Sequence, residues 1–312
     1  MANTGRPTYQ QYHTDVPLTN VSIAYTPGEY IAQGIFPAVP VQKQSDKYFT
    51  YDKGDWLRND VGVRAPGGLA PIVSGYGLST TTYACTERAL GVRVPQEQVD
   101  NSDNPLRPLE DGTRFATEKV FLNMEIDVQA IAFGTTWSSS ATPSVLWGND
   151  TSDPLGDIES AACGVRLSIG QPAMNAVMGY EVWAKLKNHP DVVDRIKGAA
   201  GPGNPAAVTL AAVSALADLS TVQVGVCLQN TGAEGAANVI APVWGKHFLV
   251  YYRPSTPSLL TPSAGYVFIY QTRRIERFVE ERRRATVIEC LWSYDSRQVS
   301  ADAAYLLKSV VS

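Results

Sequence analysis

The side chains best suited to metal binding or nucleophilic attack are few in this chain: His13, His189 and His247, and Cys85, Cys163, Cys227 and Cys290. Zinc and dithiol sites use close pairs such as CxxC or HExxH, because one turn of backbone must aim both ligands at one centre. No cysteine has a second at such a spacing, and no histidine lies four residues from another. A nucleophile elbow needs GxSxG and a phosphate cradle needs GxxxxGK[ST]; neither occurs. Gly245-Lys246 lacks the upstream glycine, and His247 follows it. The loop GPGNPA at 201–206 is glycine-rich, but Pro202 and Pro205 remove N–H donors that a phosphate would need. His189 precedes Pro190 and reads as a residue at a helix break. The expectation is a chain without a catalytic, cofactor or metal site.

Two other groupings suit contact with a macromolecule. TRRIERFVEERRR (272–284) carries six arginines and three glutamates. Guanidinium groups bind phosphates, which favours nucleic acid. Against that, Glu276, Glu280 and Glu281 interleave with the arginines, and only Phe278 offers a ring for base stacking. Mixed signs at this density predict ion pairs within or between subunits, with Arg274, Arg277 and Arg283 as contact residues. In the second grouping, SDKYFTYDKGDWLRNDVGVRAPGG (45–68), aromatic residues alternate with charges of both signs. Tyr48, Tyr51, Trp56, Arg58 and Arg64 are its candidate contacts with another subunit.

These groupings need elements to carry them. Pro7, Pro17, Pro27, Pro37 and Pro40 keep residues 1–45 extended. Lys47–Asp52 and Ser79–Ala84 read as strands, flanking a stretch with six glycines between Gly54 and Leu78. That pattern predicts a long β-hairpin around a flexible tip. A two-stranded hairpin is marginal alone, so its aromatic residues need an outside surface. After the turn-rich 101–108, Phe115, Leu122, Ile126 and Phe133 recur at helical spacing. They predict a helix over Thr113–Phe133, with Asp111 or Thr113 as its cap and Glu118, Glu125 and Asp127 on other faces. Roughly 21 residues at 1.5 Å each make a spine of about 32 Å.

Residues 135–155 read as loop. Shorter helices are expected at Asp157–Leu167, Tyr180–Asn188, Pro190–Gly198 and Val208–Leu219. Strands are expected at Val222–Leu228, His247–Arg253, Gly265–Tyr270 and Thr286–Trp292. Helices alternating with strands over 175–270 predict a compact α/β lobe.

The chain has 312 residues, with 26 Lys+Arg against 30 Asp+Glu, a formal net charge of −4 and a sequence pI of about 5.5. Hydrophobic residues at 44% and charged residues at 18% exclude a disordered chain. The acidic balance excludes a strongly basic nucleic-acid binder. The most apolar stretch, Ala206–Ala217, is interrupted by Thr209 and Ser214 and is too short to span a bilayer. With a polar start and no cysteine framework, the chain is expected to be soluble and kept in a reducing compartment.

The order and wording of the segments resemble the major capsid proteins of tailed bacteriophages, with the Hong Kong 97-type fold. LTNVSIAY (18–25), YIAQGIFPAVPVQKQSDKYFTYDKGDWLR (30–58) and RAPG (64–67) are similar to the start of one such family. NAVMGYEVWAKLKNHPDVVDRIK (175–197) is similar to its mid-chain helices. The resemblance covers most of the chain, and is weakest in 135–170 and 199–264.

It implies an α+β, Hong Kong 97-like capsid fold: an N-arm at 1–45, a long β-hairpin E-loop within 46–103, a P-domain with the spine helix at 104–172, an α/β A-domain at 173–270, and a return to the P-domain over 271–312. It also implies a structural protein, not an enzyme, which self-assembles into hexamers and pentamers. The resulting icosahedral shell would enclose double-stranded DNA without sequence-specific binding. Assembly would take place in the bacterial host cytoplasm, and the product would be the virion capsid. Scaffolding, portal and decoration proteins are the implied further partners, with no membrane and no cofactor. The family-like wording begins almost at Met1, so scaffolding is expected to be a separate protein or absent. An encapsulin-like nanocompartment shell shares the fold and stands as the alternative. An intracellular α/β hydrolase or binding protein is the alternative of a different class.

Overall fold

The computed structural model of the chain describes residues 13–14, 30–51, 54, 58–64, 66–73, 75, 77–102, 106–172, 174–200, 208–257 and 262–312. The first third forms β1 (His13–Thr14), α1 (Ala32–Ile35), β2 (Ala38–Pro40), β3 (Ser45–Tyr51), β4 (Leu78–Ala84), β5 (Thr86–Pro95) and α2 (Gln96–Asp100). The middle forms α3 (Pro108–Ala132), β6 (Ser139–Ala141), α4 (Pro154–Ile169), β7 (Asn175–Gly179), α5 (Tyr180–Leu186), α6 (Pro190–Ala200) and α7 (Leu210–Leu216). The rest forms β8 (Thr221–Gly225), β9 (Leu228–Asn230), β10 (Ile240–Pro242), β11 (Phe248–Tyr251), β12 (Gly265–Glu280), β13 (Ala285–Gln298) and β14 (Ala304–Leu307).

The spine helix α3 starts at Pro108, earlier than expected. Proline at the first helical position has its φ already set and lacks only an N–H that would be orphaned there. Neither Asp111 nor Thr113 is the cap. The N-cap is Arg107, whose N–H donates to Asp111 Oδ2 at 3.3 Å. Its buried face also differs from the expected row. Phe115 is 52% exposed, whereas Ala116, Val120, Phe121, Met124, Val128 and Ala132 are buried. The helix packs on a sheet by this face: a Cβ on Gly112 would sit at ordinary contact distance, 3.4–3.7 Å, from side-chain atoms of Val94, Val92 and Ile288.

That sheet is antiparallel, in the order β1-β12-β13-β5, with β2 added parallel to β12. Ile275, Ile288, Cys290 and Trp292 are buried in the main core that α3 shares. β12 does not stop at Tyr270 but runs on to Glu280, so most of the arginine-rich segment is strand. A short 3-10 turn at Glu281–Arg283 and a left-handed Arg284 (φ 41°) reverse the chain into β13.

A second sheet, β6-β14-β11-β7-β8, forms the α/β lobe. β7 is buried at every position and pairs parallel to β8 across α5, α6 and α7, as a strand covered on both faces must be. The stretch 135–155, read as loop, supplies the edge strand β6, and the C-terminal segment supplies β14. The expected hairpin is present as β3–β4, in register from Ser45 opposite Ala84 to Tyr51 opposite Leu78.

Glu125 joins these parts. The sequence places it on an outer face of the helix, yet it is 0% exposed. Its Oε1 accepts from Ile31 N at 3.1 Å and Trp244 Nε1 at 2.5 Å, and its Oε2 accepts from Ala32 N at 2.8 Å. The carboxylate therefore satisfies the first N–H groups of α1, whose N-cap Ile31 has no side chain able to do so. Burial pushes the carboxyl above the ordinary glutamate range, and the three N–H donors pull it back. Glu125→Ala would leave the buried Ala32 N–H and Trp244 Nε1–H unpaired, at roughly 1–3 kcal/mol each, along with the half-buried Ile31 N–H. Denaturant unfolding followed by tryptophan fluorescence should report a loss of about 3 kcal/mol or more, with Glu125→Gln in between because one acceptor survives.

Candidate functional site

The β3–β4 hairpin has a tied base and an uncovered end. At the base, Tyr83 stacks on Phe268 of β12 with centroids 4.6 Å apart, and Tyr48 tilts over the same ring at 5.4 Å. Tyr48 also donates its hydroxyl to Gln298 O at 3.4 Å, and burial pushes that hydroxyl's pKa up. Ala84 N donates to Asp295 Oδ2 at 2.9 Å, and Cys85 N to Gln44 O at 2.8 Å. Tyr48 thus finds within its own chain the cover that the sequence alone left open.

Past the base the hairpin stands in water. Phe49 is 45% exposed, and Ser79, Thr80, Thr81 and Thr82 are exposed at successive positions, so both faces are open. The connecting stretch presents Val61, Val63, Leu69 and Ile72 at 90% exposure or more, with Arg58 and Arg64 exposed among them. Tyr51 ends the ladder opposite Leu78. Trp56 lies outside the described residues.

The arginine-rich segment forms a ladder of ion pairs. Arg274 meets Glu87 at 2.8 Å and Glu276 at 2.9 Å. Glu280 takes Arg93 at 2.8 Å and Arg283 at 3.7 Å. Arg277 is opposite Ile288 in one ladder and opposite His13 in the other, where β1 joins the sheet. Arg273 stands over the Phe121 ring at 4.6 Å, and Arg88 over Tyr294 at 4.3 Å while bonding Asp127 of α3 at 2.7 Å. These two cations tie the sheet to the spine.

The hairpin residues and the ladder residues do not form one site. β12 is 16 residues long, about 50 Å at strand rise, with Phe268 near one end and Arg283 just past the other. The sequence missed a feature on the same sheet. Glu276 and Glu289 are cross-strand neighbours, and a Cβ on Gly91 would lie 3.3 Å from the Glu289 side chain. Among the described residues no cation pairs with Glu289. Burial, then Glu276 and Glu87, push its carboxyl above the ordinary value.

One nucleophile lies beside a base: Ser152 Oγ is 3.0 Å from His189 Nε2. However, both residues are buried, and His189 Nδ1 accepts from Asp191 N at 3.2 Å, so it has no proton for a carboxylate to hold. With Nε2 also 3.1 Å from Asn149 O, the ring braces the start of α6. Among the described residues, no three His, Cys, Asp or Glu side chains are placed to hold a metal ion, and no helix is long and apolar enough to cross a membrane.

Known proteins place this architecture. No family model matches the chain. It is 28% identical to the major capsid protein of Pseudomonas phage JBD67 over 251 residues, 77% of each chain. It is 23% identical to the major capsid protein of Burkholderia phage BcepMu over 313 residues, 95% of this chain and 96% of that one. The chain is similar to phage major capsid proteins.

Its fold agrees. A phage-related protein of Bordetella bronchiseptica RB50 superposes with a TM-score of 0.73 at 19% identity, covering 95% of this chain and 97% of the other. The capsid protein of cyanophage P-SCSP1u does so with a TM-score of 0.60 at 12% identity, covering 88% and 85%. A virus-like particle protein of Pyrococcus furiosus gives 0.55 at 11% identity, covering 93% and 96%. The α+β, Hong Kong 97-type capsid fold expected from the sequence is the fold observed.

In this fold Glu289, which no cation pairs among the described residues, has a measurable consequence. Its folded pKa lies above the ordinary 4.5, so the folded state binds the proton more tightly. The resulting stability is whole below that ordinary value and is lost as pH rises through the raised one. Glu289→Gln should therefore raise the thermal midpoint at neutral pH. Melts across about pH 4 to 7 should show the gain vanish at the acid end.

Proposed function

We propose that this chain is the major capsid protein of a tailed bacteriophage, assembling with copies of itself into hexamers and pentamers that tile an icosahedral shell around double-stranded DNA. The observation that carries the reading is the uncovered hairpin. A two-stranded ribbon with apolar residues fully in water is stable only when another surface covers it. An exposed edge or ribbon is a hazard for a monomer and a bonding device in a lattice. Kinship with phage major capsid proteins supplies the lattice.

In that shell, residues 1–45 are the N-arm, 46–103 hold the E-loop, 104–172 the P-domain with its spine, 173–270 the A-domain, and 271–312 the return to the P-domain. The arginines serve structure: paired with glutamates on a chain of net charge −4, they leave a wall that encloses DNA without gripping it. Assembly takes place in the host cytoplasm and ends in the virion, with scaffolding, portal and decoration proteins as the further partners and no catalytic step.

A shell of this fold could enclose protein cargo instead, and a nanocompartment shell is the second reading. Electron microscopy of the chain expressed alone tests both. Closed shells or capsomer rings are the expected result, and nucleic acid inside them supports the phage reading over the cargo reading. A uniform monomer at high concentration, unchanged when scaffolding protein is co-expressed, would sink both.

Replacing Trp56, Arg58 and Arg64 together with Ala should lower shell yield and thermal stability. The aromatic residue should dominate, at about 2–4 kcal/mol if it is a packed hot spot. The two arginines should contribute under about 1 kcal/mol each as exposed pairs. Unchanged yield and melting would remove these residues from the interface.

A further inference from the structure

The segment after β14 turns away from its strand through one strained residue. β14 ends at Leu307, and Ser309 takes a left-handed backbone (φ 46°), which a residue with a Cβ holds only when its surroundings impose it. The Ser309 N–H donates to Nδ1 of His247 at 2.9 Å. Beyond it, Val310 N donates to Lys246 O at 2.9 Å, and Val310 O accepts from Trp147 N at 2.8 Å. Val310, Val311 and Trp147 are all buried, so the segment is docked in the main core. At its root, Lys308 N donates to Ala141 O at 2.7 Å.

Of these four bonds, only the one to His247 has an acceptor that takes a proton near neutral pH. A neutral imidazole accepts at Nδ1 when Nε2 carries the proton, whereas the imidazolium has two donors and no acceptor. Protonated, His247 would point an N–H at the Ser309 N–H, and the turn would lose the bond that holds it. Lys246 precedes the ring in sequence, and Lys308 acts on it from the root of the segment. From α3, Phe133 packs edge-on at 5.2 Å, and Glu125, about two turns earlier, has its oxygens taken by Ile31, Ala32 and Trp244. From the neighbouring strand, β7 ends at Gly179, and the next charge along, Glu181, is exposed. Among the described residues no carboxylate pairs with His247. Burial, then Lys308, push its imidazole below the ordinary histidine value.

We propose that His247 is a proton-operated catch for residues 309–312: the segment stays docked while the imidazole is neutral and is released when it takes a proton. Release hands the Trp147 N–H and two buried valines to water. The catch belongs to the subunit itself and does not depend on the shell reading. Its sign follows from linkage. Docking is whole above the ordinary histidine value of 6.5 and weakens as pH falls below it, by up to about tenfold per pH unit until the lowered value is reached.

Hydrogen exchange of the full chain tests this, read by mass spectrometry and corrected for the pH dependence of intrinsic exchange. Between about pH 7.5 and 5, protection of the peptide covering 308–312 should fall by about tenfold, while β7 keeps its protection. His247→Asn keeps an acceptor close to the place of Nδ1 and does not titrate, so its segment should stay protected at both pH values. Lys308→Gln should shrink the fall, because the docked imidazolium would lose a repelling neighbour. Equal protection of the wild-type segment at the two pH values would overturn the proposal. So would a fall that survives in His247→Asn, or one shared with β7, which marks general acid unfolding. Should His247→Asn misfold, Lys308→Gln decides, and an undiminished fall there removes the catch.

Discussion

The subunit depends on a carboxylate that has been taken out of water. Glu125 sits in the middle of the spine and binds backbone 93 and 94 residues away on one side and an indole 119 residues away on the other. A buried charge is tolerable only when its lone pairs are met, and all three partners here are N–H donors. The tie also fixes Trp244, which packs edge-on to Phe133 at 5.3 Å and fills the space left by Gly225. The long antiparallel sheet and the α/β lobe consequently share one continuous core. The base of the β3–β4 hairpin packs outside that core, on a second cluster formed by Tyr83, Cys85, Tyr266 and Phe268.

How much of this was legible follows from the range of each signal. The hairpin was legible because threonine, tyrosine and a glycine-rich tip act locally. So was the helix starting at Pro190, where proline punctuates the chain. The existence of the spine was legible from its period, but not its buried face. That face is set by the sheet it packs on, with Gly112 beside Val92, Val94 and Ile288, and no window on the helix alone contains the sheet. Glu125 was illegible for the same reason, since its partners are distant backbone groups. β5 did offer a signal, the alternation Leu90, Val92, Val94, but Glu87, Arg88 and Arg93 obscured it. β6, β9 and β10 are three residues each, too short for any periodicity to register.

The charged segment shows how composition can mislead about location. TRRIERFVEERRR reads as a run of ion pairs with no assigned element, yet it is largely a strand with Ile275 fully buried and Arg273 laid over aromatic rings. Arginine permits this because its stem and flat guanidinium cover apolar surface while keeping the charge near water. Arg274 pairs with Glu87 and Glu276, and Glu280 takes Arg93 and Arg283, so much of the segment that looked most ready for DNA is engaged within the subunit.

In the proposed shell this division of surfaces sets what each contact does. Ion pairs at partly exposed positions are worth under about 1 kcal/mol and are screened beyond about 8 Å at physiological salt. The apolar tip of the hairpin depends on buried area, at roughly 25 cal/mol per Å², which salt does not screen. Strength between subunits therefore belongs to the projecting apolar hairpin, and the arginine–glutamate ladder holds the sheet within each subunit. A subunit arranged this way resists association through its charged faces and joins through surfaces that only an ordered array can cover together.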